Sequence, residues 1–109
     1  MAHVHDGGSA SDELAIRLIV SPPVLRIWLA GELDSASTTG LKHIVDPGPS
    51  VGTVIVDLAD LTFCDIRGLR ALTEFRAEQM HRNRHFAFVH TQSKMQRLME
   101  LAGVSRRVT

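Results

Sequence analysis

Thr62-Phe63-Cys64-Asp65-Ile66-Arg67-Gly68-Leu69-Arg70-Ala71 is the stretch from which the fold is read. Its first residues have the character of a buried strand's end, Asp65 that of a helix cap, and Ile66 onward that of a helix start. Such a strand-to-helix turn is where α/β domains place ligand or partner chemistry, because the helix's free N–H groups point out of it. Asp65 is expected to accept those N–H bonds, and Gly68 to let the helix and a neighbouring backbone approach closely. Arg67 in the first turn opposes the helix dipole at a cost of ~0.3–1 kcal/mol if exposed, and Asp65 is expected to offset this by holding its guanidinium.

Upstream of this turn, Val51 to Leu58 carries Val54-Ile55-Val56, a β-branched run that predicts a central strand buried on both faces. Before it, Leu14–Val20 and Val24–Ala30 alternate as strands around Ser21-Pro22-Pro23, which predicts an antiparallel hairpin. Gly31-Glu32-Leu33-Asp34 then leaves the sheet. Asp34, Ser35 or Ser37 can cap a helix through about Val45, with Leu41, Ile44 and Val45 as its apolar face. Asp46-Pro47-Gly48-Pro49-Ser50 is a loop.

Downstream, Ile66 to about Arg82 predicts a helix burying Leu69, Leu72, Phe75 and Met80. His81-Arg82-Asn83-Arg84-His85 reads as a solvated loop and His85–His90 as a last short strand. Ser93 with Gln96 three residues on matches a capping box, Met95, Leu98 and Met99 continue that helix, and Gly103 sits where a left-handed C-terminal residue belongs. The order β-β-α-β-α-β-α predicts a single α/β domain. Its sheet is expected to have about four strands, mostly parallel with one antiparallel strand, and helices packed on it.

The chain has 109 residues, 44% of them hydrophobic and 22% charged, enough for one core. Twelve basic residues balance twelve acidic ones, which gives no footprint for nucleic acid or a membrane surface. The single cysteine, Cys64, cannot form an internal disulfide, no apolar run is long enough to span a bilayer, and no secretory signal is visible, so a cytoplasmic setting is expected. Residues 1–13 are expected to be a flexible lead-in, with His3 and His5 incidental rather than a metal pair, and residues 14–109 to form the domain. Cys64 is expected to be a small core residue.

Three local sequences, in order on this element pattern, resemble the STAS domain, the family of anti-sigma factor antagonists and their relatives. They are Gly31-Glu32-Leu33-Asp34, Val54-Ile55-Val56-Asp57-Leu58 and Phe63-Cys64-Asp65-Ile66-Arg67-Gly68-Leu69. The resemblance covers about residues 14–108 and implies a four-stranded sheet with helices on it. In the family the residue directly before the turn's glycine is typically a serine, phosphorylated by a cognate anti-sigma factor that is itself a serine kinase. The unmodified form binds that partner and frees the sigma factor. Phosphate would add about −1.5 to −2 charges at a helix amino terminus. Here that position is Arg67, which accepts no phosphate from a serine kinase and carries a permanent charge of the opposite sign.

The resemblance implies a non-catalytic regulatory module that binds an anti-sigma factor/serine kinase and needs no cofactor or metal. The expected partner surface is Asp34, Ser35, Asp65, Ile66, Arg67, Gly68 and Arg70, since the family fold puts the Asp34 loop beside Arg67. Arg67 is then either an anchor for an acidic partner surface or a solvated side chain at a lost site. Thr62 and Ser37 are the substitute phosphosite candidates. Asp34 and the hydroxyls Ser35, Ser37, Thr38 and Thr39 otherwise serve to cap the first helix. A homodimer is a further partner that the reading admits. The alternative is a STAS subunit of an ABC-type transport assembly. An enzyme-like receiver domain with Asp57 or Asp65 as phosphoacceptor is disfavoured: no acidic pair follows Val20, and neither Lys42 nor Lys94 ends a last strand. No Gly-Lys-Ser/Thr phosphate loop and no defensible Ser/His/Asp or Cys/His arrangement is present.

Overall fold

The structure, a computed structural model, describes residues 3–6 and 14–103. Five strands, β1 (His3–Asp6), β2 (Leu14–Ser21), β3 (Val24–Leu33), β4 (Thr53–Cys64) and β5 (His85–Val89), lie in the order β1-β2-β3-β4-β5. β1–β2 and β2–β3 are antiparallel, β3–β4 and β4–β5 parallel. The mixed four-stranded sheet of β2 to β5 is the one expected. β1 adds an outer antiparallel strand from within the predicted lead-in, the rest of which lies outside the described residues, as do the side chains of His3 and His5.

The hairpin turns on Pro22-Pro23, with Ser21 paired to Val24. The Pro23 carbonyl then accepts from the N–H groups of Gly52 (2.9 Å) and Thr53 (3.1 Å), which starts β4 alongside β3. Alternation puts Leu14, Ile16 and Leu18 of β2, Leu25, Ile27 and Leu29 of β3, and Val54, Val56 and Leu58 of β4 into one core. Helices α1 (Thr38–Lys42), α2 (Ile66–His81) and α3 (Ser93–Leu101) add Leu41, Leu69, Ala71, Leu72, Met95 and Met99 to that same core.

Only one face of the sheet enters this core. Ile55, expected to be covered like its neighbours, is half-buried on the opposite face, where Ile19 and Ala87 stand in its row among charged side chains. There Arg26 reaches Asp57 at 3.0 Å, His90 Nδ1 lies 3.0 Å from the same carboxylate, Trp28 Nε1 donates to Asp60 at 2.8 Å, and the Arg17 guanidinium lies 5.1 Å from the Trp28 ring centroid. Asp57 is thus fully engaged. Burial pushes its pKa up, but the Ala59 N–H bond and the pairs with His90 and Arg26 outweigh that and hold it below 3.8.

Three helix expectations are corrected. α1 ends at Lys42, not near Val45. Ile44 packs partly, Val45 is 79% exposed, and Pro47 disfavours helical geometry at Asp46. In α2 the inward residue of the last turn is Gln79, while Met80 is 50% exposed. Gln79 follows Leu72 by about two helical turns, and Met80 lies beyond the buried stripe. In α3 the N-cap is Gln92, and Ser93 is already helical without a capping bond. Gly103 has φ +73°, the expected left-handed terminus.

The His81–His85 segment is also not simply solvated. Arg84 is 8% exposed, and its guanidinium bonds Gln79 (2.8 Å), the carbonyls of Val51 (3.1 Å) and Gly48 (2.8 Å), and Asp46 (2.9 Å). This cluster ties the Pro/Gly loop to the end of α2. The Arg84 hydrogen bond and the Gly48 N–H bond hold Asp46 below its ordinary carboxyl range.

Candidate functional site

β4 delivers Thr62, Phe63 and Cys64 to the turn, and α2 begins at Ile66. Asp65 is the N-cap: its backbone is extended (φ −93°, ψ −175°) and its carboxylate accepts from the Gly68 N–H at 2.8 Å. The Asp65 N–H donates to the Leu33 carbonyl at 3.2 Å, and Leu33 is the register partner of Cys64. The end of β3, with the Asp34 loop that follows it, is thereby bound to the start of α2.

Gly68 makes that juxtaposition sterically allowed. A Cβ there would overlap the Leu33 carbonyl oxygen and stand 2.9 Å from its carbon and 3.0 Å from Leu33 Cγ. The close approach expected at Gly68 is to this backbone.

The Asp34 loop is locally self-satisfied. Asp34 Oδ1 accepts from the N–H groups of Ala36 (3.0 Å) and Ser37 (3.1 Å), and Ser37 Oγ accepts from the Asp34 N–H at 2.9 Å and donates to the Glu32 carbonyl at 2.9 Å. Ser35 is exposed. Of the substitute phosphosite candidates, Ser37 is 1% exposed and its hydroxyl is occupied, which removes it as an acceptor in this conformation. Thr62 is exposed, with its hydroxyl donating to the Gly31 carbonyl at 3.0 Å. Thr38 and Thr39 open α1, and neither gives that helix a side-chain cap.

Arg67, in the first turn of α2, and Arg70, at the start of the second, are exposed. Neither side chain makes a hydrogen bond or ion pair with the described residues, and no acidic residue lies in the first turn. The expected Asp65–Arg67 pair is absent; Asp65 Oδ1 accepts from the Gly68 N–H instead. Two unpaired cations thus add to the positive end of the α2 dipole. On either side of Asp65 stand two large exposed apolar side chains, Phe63 at 50% and Ile66 at 57%. Phe63 was not singled out from sequence, although alternation continued from Val54, Val56 and Leu58 puts it on the face opposite the core; the two register irregularities of β4 against β3, between Trp28 and Ala30 and between Gly31 and Glu32, leave it exposed.

Cys64 packs against the core rather than within it, and burial, with the Asp65 charge beside it, pushes its thiol up to about 12. That disfavours the thiolate, the form a nucleophile would need. Among the described residues no group of three or more His, Cys, Asp and Glu is placed to hold a metal ion. Nor is any described helix long and apolar enough to cross a membrane.

A family model described as "Mlab, STAS domain" matches residues 20–109. Among curated proteins no sequence matches the chain. Solved anti-sigma factor antagonists share its fold. One from Mycobacterium paratuberculosis aligns at 22% identity and a TM-score of 0.68, over 88% of this chain and 83% of that one. The Bacillus cell fate determinant SpoIIAA, in its phosphorylated form, aligns at 18% identity and 0.63, over 86% and 88% of the two chains. A STAS-domain antagonist from Rhodobacter sphaeroides aligns at 14% identity and 0.57, over 100% and 97%.

Proposed function

The chain belongs to the STAS domain family, and from that premise we propose that it is a non-catalytic regulatory module of the anti-sigma factor antagonist kind. It binds a protein partner, an anti-sigma factor/serine kinase, through the amino-terminal end of α2 and the adjoining Asp34 loop, without phosphorylation at Arg67. The observation that carries this reading is the unpaired Arg67–Arg70 pair at the positive end of α2, flanked by the exposed Phe63 and Ile66.

The physical argument is one of cost and complement. A cation in a first helical turn is unfavourable by ~0.3–1 kcal/mol, and among the described residues neither arginine side chain has an ion-pair partner, the Asp65 carboxylate being bound to the Gly68 N–H. An acidic partner surface would supply that partner, with arginine offering bidentate geometry and the apolar pair offering area. A serine at position 67 would let phosphate reverse the local charge. Arginine holds it positive under all conditions, so binding is constitutive. Asp34, Ser35, Asp65 and Gly68 act as the frame that sets the height and angle of this surface.

The test is affinity capture and calorimetry with candidate anti-sigma kinases, comparing wild type, Arg67→Ser and Arg67→Glu. Wild type binds and takes up no phosphate when incubated with kinase and ATP. Arg67→Glu weakens binding by about tenfold or more, on the order of 1.4 kcal/mol. Binding of no variant to any such kinase, or co-purification from the native host with a transport ATPase instead, sinks this reading in favour of the transport-assembly one.

A further inference from the structure

β5 pairs with β4 only from Thr53 to Asp57, so Leu58 through Cys64 have no strand partner on that side among the described residues. Part of this free edge is held by a side chain. The Gln92 carboxamide donates to the Ala59 carbonyl at 2.7 Å and toward the Leu61 carbonyl at 3.4 Å. A side-chain amide there does what the backbone amides of a neighbouring strand would do. Beyond Gln92 the edge opens into a groove of about 290 Å³ between β4 and α3, lined by Leu61, Phe63 and Cys64 on one side and Lys94, Met95 and Leu98 on the other. At about 3.3 Å per residue, Leu61 to Cys64 presents roughly 13 Å of strand edge.

We propose that this groove is a β-augmentation site: an extended segment of a partner protein pairs its backbone with the Leu61–Cys64 edge, places alternate apolar side chains against Phe63, Met95 and Leu98, and sets an acidic residue beside Lys94. The backbone complement follows from the open edge that Gln92 has begun to fill. The charge follows from Lys94, the only charged residue of the lining, which is exposed and makes no ion pair among the described residues. Charge also argues against two other occupants. The chain's own residues Val104-Ser105-Arg106-Arg107-Val108-Thr109 bring two arginines and no acidic side chain to Lys94. A second copy pairing edge to edge brings Lys94 toward its own equivalent. The site shares Phe63 with the Arg67 surface, but its strand edge and Lys94, Met95 and Leu98 lie outside that surface.

The test uses the full chain and a blocked peptide, Glu-Val-Thr-Val-Thr-Val-Glu, followed by amide chemical-shift mapping and fluorescence anisotropy. Shifts are expected at Thr62, Phe63, Cys64, Lys94 and Leu98. The same peptide N-methylated at alternate residues loses binding, since its side chains are kept and its backbone donors are gone. Lys94→Glu weakens the acidic peptide by about three- to tenfold, and more at low salt. The exposed Phe63→Ala weakens it too. The proposal is overturned if the shifts map elsewhere, if the N-methylated peptide binds as well, or if no peptide binding is detected. It is equally overturned if the peptide displaces residues 104–109 from the groove, or if the chain is a dimer that the peptide dissociates.

Discussion

Gly68→Ala and Gly40→Ala add the same methyl group to a helix and should differ in their effect. In an open helix either change would gain up to ~1 kcal/mol from helix propensity. At Gly68 the new Cβ meets backbone: the Leu33 carbonyl oxygen, its carbon at 2.9 Å and Leu33 Cγ at 3.0 Å. The amino-terminal turn of α2 must lift away from β3, which strains the Asp65 N–H bond to the Leu33 carbonyl. Overpacking of this kind costs about 1–3 kcal/mol, and the strained bond adds ~0.5–1.5. After the propensity gain the net loss is about 0.5–3.5 kcal/mol, or roughly 2–28 °C in Tm for a domain near this size. At Gly40 the Cβ meets only Ile16 Cδ1 at 2.8 Å, the far end of a flexible side chain. Gly40→Ala should therefore cost at least ~1 kcal/mol less. Urea unfolding followed by far-UV circular dichroism and by the fluorescence of the single tryptophan, Trp28, measures both. A Gly68→Ala protein as stable as wild type, or a Gly40→Ala protein damaged more, would refute the assignment of Gly68 as the contact that seats α2 on β3.

Three further outcomes follow from the same geometry. Arg84→Met should cost about 3–5 kcal/mol, because it strands the buried acceptors of Gln79, Val51 and Gly48 together with Asp46, whereas Arg82→Ala, whose side chain is 48% exposed, should stay within ~1 kcal/mol; parallel urea titrations compare them. Asp46 and Asp57 are both held below the ordinary carboxyl value of 3.8 in the folded state, so the stability they contribute is present above that value and is lost as pH falls through the folded values. Unfolding free energy measured from pH 6 downward should fall below about pH 4, and Asp57→Asn should flatten part of that fall. The Cys64 thiol, pushed up to about 12, should react slowly with a disulfide reagent at pH 8 in the native state and rapidly in urea. Fast native labelling would place the thiol outside the core flank.

Much of the fold was legible because period and punctuation agreed. The alternation of Val24–Ala30, the Pro22-Pro23 turn and the β-branched Val54–Val56 run each had one cheap backbone solution, and the sheet of β2 to β5 is assembled from them. Asp65 as a cap was legible for the same reason: capping is a bond between a residue and its neighbour three positions on. Ser93, with the same local signal, proved to be helical because Gln92 was drawn to the free edge of β4. Local rules fail where a distant partner offers a better bond. Arg84 is the clearest case. Within His81–His85 it looks like any solvated cation, and its burial depends on a carboxylate, an amide and two carbonyls that come from Asp46 to Val51 and from the end of α2.

The turn at Asp65-Ile66-Arg67-Gly68 divides the same way. Sequence alone determined that a capped helix starts there, that position 67 carries a permanent cation, and that a glycine follows it. Those are properties of residue chemistry and near-neighbour bonding. Only the tertiary structure decided that the Arg67 side chain has no partner among the described residues, that Phe63 stays half-exposed through two irregularities in the register of β4, and that the glycine is needed because Leu33 lies against it. Those depend on which strands are neighbours and where one outruns another, and such distances are settled by packing across the sheet.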